Sequence, residues 1–246
     1  MRNFFQRFAA VLFVLAAVFS FAFSVPAGAK EVAFPKPANF HFVCWNNTQF
    51  TSCRFAWNTA VDSDGKAASD YEIKETWTNG SHYWHGFTTK KSVNINNHEY
   101  NHVVIASVRA RWKKTNAKTG SAYYVYSQWS NPVYVTPWPR SAAGSVPNAQ
   151  KPYVNLRWNI VYGSSGYNIF LTQNPKGTWY WNQSTAQKAT STTATLKSFR
   201  GSKLKTYTNY YVRIVTRRKM NGVFCTVPAP GSGYYSLRFR LTKAGK

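Results

Sequence analysis

The sequence predicts an all-β fold, two tandem antiparallel β-sandwiches placed after an N-terminal leader. Trp, Tyr and Phe make up 17% of the 246 residues, and Thr, Val, Ser and Asn are frequent, a composition that favours strands. Short alternating segments recur between turn residues, which is the pattern of half-buried strands. No long stretch places apolar residues at helical spacing. The charged fraction is low, at 15%, but the aromatic content supplies ample surface to bury, so the chain is not of the disordered type.

At the start, Arg2 and Arg7 precede an apolar run from Phe8 to about Val25 and the small-residue site Ala27-Gly28-Ala29. This is the layout of a secretory signal peptide, residues 1–29, with cleavage expected before Lys30. A retained anchor is the alternative, because the run approaches the length that spans a bilayer. No second run of that length follows. The expectation is a secreted, extracellular protein with no integral membrane segment after cleavage.

The first domain is expected over 30–139. Its strands read Phe40–Trp45, Phe50–Trp57, Tyr71–Thr76, His82–Thr88, Val103–Lys113 and Val133–Thr136, with Gly, Asn, Asp and Lys between them. Proline and small residues from Pro137 to Pro147 break the pattern, and 140–148 reads as a linker. The second domain, 149–246, repeats the plan with Val154–Trp158, Tyr167–Leu171, Trp179–Trp181, Thr192–Leu196, Tyr210–Arg217 and Tyr235–Leu241.

A Trp closes the second strand of each unit (Trp57, Trp158), and a Tyr opens the third (Tyr71, Tyr167). The penultimate strand reads Val108-Arg109-Ala110 in one unit and Tyr210-Tyr211-Val212-Arg213-Ile214 in the other. With Ser127-Gln128-Trp129-Ser130-Asn131-Pro132, these features resemble fibronectin type III domains. The resemblance implies a non-catalytic secreted adhesion or ligand-binding protein that meets an extracellular protein or an anionic cell surface. Tyr210 stands at the family's corner tyrosine, where the first unit has Val104. The first unit is also similar to the cytokine-receptor branch, with Tyr126 replacing the first Trp of its box. There, Arg109 and Arg111 would face Trp129 and stack on it.

Cys44 and Cys53 lie on adjacent predicted strands, and a symmetrical hairpin would set them opposite one another, so a disulfide is expected in an exported chain. Cys225 is left over, either buried and inert or available for a disulfide-linked dimer. The five histidines (His41, His82, His85, His98, His102) show no metal-ligand spacing, and no cofactor is expected. Asp62-Ser63-Asp64-Gly65 reads as a turn. All seven carboxylates precede residue 100, so the second domain has none for glycoside hydrolysis or a Ser-His-Asp arrangement. No catalytic motif occurs elsewhere, and the chain reads as a non-enzyme.

Residues 30–139 carry twelve Lys and Arg against seven acids, while 140–246 carry seventeen against none. Such an excess attracts polyanions. By alternation Arg213, Arg217, Arg238 and Arg240 are expected to share one outward face, an anion-binding surface for cell-wall polymer, acidic polysaccharide or nucleic acid.

Overall fold

Strands with buried inner faces build two stacked sheets twice over in the computed structural model, which describes residues 32–81, 83–96, 101–146, 152–185 and 190–242. The expected leader, His82, His98, Glu99 and positions 147–148 lie outside these residues. Among the described residues there is no helix, and the described part from Phe34 onward belongs to one compact unit.

The first sandwich contains β1 (His41–Trp45), β2 (Ser52–Ala56), β3 (Asp70–Trp77), β4 (Tyr83–Thr88), β5 (Ser92–Asn96), β6 (Val104–Thr115), β7 (Ala122–Tyr126) and β8 (Val133–Val135). One sheet runs β1-β2-β5, and the other runs β4-β3-β6-β7 with β8 also on β6. The second sandwich contains β9 (Ala142–Ser145), β10 (Val154–Trp158), β11 (Tyr167–Thr172), β12 (Tyr180–Ser184), β13 (Thr193–Leu196), β16 (Asn209–Thr216) and β19 (Leu237–Arg240). Its sheets run β13-β10-β9 and β12-β11-β16-β19. Two hairpins are added, β14 (Ser198–Phe199) with β15 (Ser202–Lys203), and β17 (Arg218–Met220) with β18 (Val223–Cys225). A three-stranded sheet faces one of four strands in the second unit and one of five in the first, where β7 and β8 both pair with β6, the fibronectin type III-like plan.

The period of two is clearest on β6, where Val104, Ala106, Val108, Ala110 and Trp112 are all fully buried and Arg109 and Arg111 point the other way. Tyr210, Val212 and Ile214 do the same on β16. Each valine or isoleucine among these contributes roughly 1.5–3 kcal/mol on burial. Trp57 meets Tyr71 edge-on at 5.3 Å, and Trp158 meets Tyr167 at 5.2 Å. Each tyrosine hydroxyl accepts a backbone N–H, from Ala60 at 3.1 Å and from Val161 at 2.8 Å. The two units thus repeat one core device with the same residue types.

Residues 140–148 are not simply a linker: β9 lies within them, antiparallel to β10. The small residues answer a packing need, since a Cβ on Gly144 would stand 3.2 Å from Val154 Cγ1 and 3.5 Å from Leu237 Cδ1.

The cores also interlock. Val215 and Val227 of the second unit belong to the first cluster, and Val103 belongs to the second. Trp138 Nε1 donates to the Val227 carbonyl at 3.1 Å. At the junction His102 stacks on Trp77 at 3.7 Å and on Tyr162 at 5.0 Å. Gly163, at φ 77°, presses close to Thr78, a place where a Cβ does not fit.

Candidate functional site

On the outer face of the first sandwich, β7 and β8 are separated by the Ser127–Pro132 stretch. There Ser127 gives its N–H to the Ala110 carbonyl and takes the Ala110 N–H on Oγ; Ser130 does the same with Val108. The serine side chains carry the ladder across the gap and leave Trp129 on the surface. Arg109 lies 4.6 Å over the Trp129 ring and 4.2 Å over Tyr126, with Lys74 4.2 Å over Trp129. Arg111 lies over Phe87 at 4.0 Å and Tyr124 at 4.4 Å. Arg109 pairs with Glu72 at 2.7 Å and Arg111 with Asp70. The Asp70 hydrogen bonds raise the Arg111 pKa against its burial. These guanidinium charges are matched internally, so the ladder braces a sheet rather than presenting free cations.

Ser236 repeats this device in the second sandwich, giving its N–H to the Val212 carbonyl and accepting from Ile214 N–H on Oγ at 3.0 Å. The sequence shows no Ser-x-Trp-Ser segment there, yet one serine suffices. Tyr210 OH accepts the Lys205 N–H at 2.9 Å, closing the corner that Val104 cannot form.

The four arginines do not share an open face. Arg238 and Arg240 are exposed on β19. Arg213 on β16 and Arg217 just past its end are half-buried, and Val215 between them is buried against the first cluster. Arg213 lies 3.9 Å over Trp179 and donates through Nε to the Tyr234 carbonyl at 2.7 Å. Arg217 lies 4.2 Å over Phe224 and donates to the Thr185 carbonyl at 2.8 Å. Loss of water lowers both pKa values. Alternation places these residues on one side of the sheet but carries no information on what lies over that side.

The cations that do converge in the open are Arg200, Lys203 and Lys205. All three are exposed and line one cleft of about 290 Å³ together with Gln173 and Ser202. The β14–β15 hairpin places two of them. Its turn residues Arg200 and Gly201 have φ of 53° and 79°, the pair of positive values that a two-residue hairpin turn requires. Arg200 then lies 4.6 Å over Tyr180. Backbone pairing and the Tyr210 corner hold the other two cations near it. No carboxylate follows Glu99, so no acidic side chain of this half neutralises the cleft. The signal was present in the sequence as four cations within Lys197–Lys205, a basic run that strand alternation passes over.

The cysteines are free, a correction to the expected disulfide. An irregularity between Phe42 and Cys44 shifts the β1–β2 register, so Cys53 faces Trp45 and Cys44 faces Arg54. Cys44 is exposed and Cys53 fully buried. Burial, then the fields of Glu75 and Cys44, push the Cys53 thiol well above its ordinary range. Cys225 is half-buried and unpaired on β18. Asp62 closes a turn as expected, accepting from Asp64 N–H at 3.2 Å and Lys66 N–H at 2.8 Å. Among the described residues no three His, Cys, Asp or Glu side chains gather as metal ligands would.

No protein-family model matches the chain, and neither does any curated protein. Among solved structures it is similar to a two-domain fibronectin type III segment of chicken tenascin. The two are 12% identical over 78% of this chain and 98% of that one, at a TM-score of 0.33. It is also similar to titin kinase with its flanking domains, 15% identical over 44% of this chain and 18% of that one, at 0.30. What places the chain is its own strand order, two antiparallel sandwiches of fibronectin type III-like plan.

Proposed function

We propose that this protein is an exported, non-catalytic binding module whose second sandwich grips an anionic polymer through Arg200, Lys203 and Lys205. The observation that carries the reading is the convergence of three exposed cations on one cleft in a half of the chain without a single acidic residue. Arg and Lys beside an aromatic ring suit sulfate, phosphate or carboxylate groups spaced along a chain. Export is supported by the layout of residues 1–29.

The test uses the full chain on a heparin column across a salt gradient. The Arg200→Gln/Lys203→Gln/Lys205→Gln variant is expected to elute at clearly lower salt, with the dependence of log K on log salt falling by about one for each cation removed. An Arg238→Gln/Arg240→Gln variant should shift elution less. Co-elution of the triple variant with the wild type would rule out the cleft as the site.

A further inference from the structure

A groove of about 460 Å³ opens where Arg213 on β16 and Phe170 on β11 meet Trp138 and the Thr226–Ala229 segment. That volume lies within the roughly 300–1,000 Å³ of small-ligand sites. Trp138, Phe170 and Trp179 supply three aromatic walls, and Arg213 is the one charged side chain among the lining residues.

Arg213 is fixed in plane by the Trp179 ring beneath it and by its Nε bond to the Tyr234 carbonyl. Its two terminal nitrogens have no hydrogen-bond partner among the described residues, and it takes part in none of their ion pairs. A half-buried cation thus stands without a carboxylate partner among the described residues, and its loss of water lowers its pKa. A second donor is also unanswered, since the buried Trp179 Nε1 has no acceptor among the described residues. A buried donor left unpaired carries a penalty that a ligand acceptor would relieve.

We infer that this groove binds a monocarboxylate carried on a flat apolar body, its carboxylate on the terminal nitrogens of Arg213 and its body against Trp138 and Phe170. A carboxylate matches the fork of a guanidinium, and a pre-positioned Arg loses little freedom on pairing. Trp138 and Phe170 offer the ring surface that a flat body packs against, while the Trp179 face is taken by Arg213. Polymeric sulfate would gain nothing from such walls. The groove shares no lining residue with the Arg200–Lys205 cleft, so this site does not depend on the polymer reading.

The test follows the indole N–H resonances of the full chain by NMR during titration with 3-phenylpropionate, its amide and acetate, with Trp179→Phe identifying the Trp179 signal. The acid is expected to shift that signal and to bind about tenfold or more tightly than either the amide or acetate. Arg213→Gln should bring the acid down to the level of the amide. Equal binding of acid and amide by the wild type would overturn the site, whatever Arg213→Gln does to folding. So would an unmoved Trp179 signal at millimolar acid, or acetate binding as well as 3-phenylpropionate.

Discussion

Asp62 is a carboxylate enclosed by its own turn. Burial disfavours its charge, but the Lys66 and Asp64 N–H groups and Lys114 Nζ at 3.3 Å outweigh that and hold its pKa below the usual carboxylate value. A depressed folded pKa contributes stability above the unfolded value near ~4, and that contribution is lost as pH falls through the folded pKa. Asp62→Asn is therefore expected to lower stability at neutral pH and to lessen the loss on acidification below about pH 5. Urea unfolding at several pH values would decide this, and parallel curves for variant and wild type would contradict it. The Trp57–Tyr71 and Trp158–Tyr167 pairs were legible in the sequence because their roles need fixed residue types at strand ends. The sulfur positions were not, because one irregularity before Cys44 moves a side chain to the other face, and no residue type marks it.

Strands with one buried face were legible as elements, β3, β6, β11 and β16 among them. β7 was hidden because Tyr123, Tyr124 and Tyr126 are all exposed, so it lacks the apolar alternation that reveals a strand. β9 was hidden because Ala and Gly read as flexibility when they are a fit to Val154 and Leu237. Gly144→Val is expected to destabilise by about 1–3 kcal/mol through overpacking. Chemical denaturation would show it; a variant as stable as the wild type would mean that β9 is loosely held after all. The basic cleft escaped for a related reason. Strand periodicity directs attention to long strands, while the converging cations sit on and beside a hairpin of two-residue strands.

Across the whole molecule the two sandwiches share side chains, and Trp138 is central to that. It is 3% exposed, it lies near Phe50 and Tyr234 at 6.4 and 5.7 Å, and its indole binds the Val227 carbonyl. Trp138→Ala is expected to cost about 3–5 kcal/mol, which for a chain of this size lowers Tm by roughly 2–4 °C per kcal/mol. Calorimetry of the wild type should give one cooperative transition. Two resolved transitions, with only one of them moved by the substitution, would show that the cores act separately.

Beyond His102 the chain contains no Asp, Glu or His. Side chains that gain or lose a proton between about pH 5 and pH 8 are drawn from those types unless strongly perturbed. The second sandwich therefore keeps nearly the same positive charge from a mildly acidic medium to a mildly alkaline one. On the proposed reading, its hold on an anionic polymer would stay constant across that range, set by salt and by the ionisation of the polymer itself.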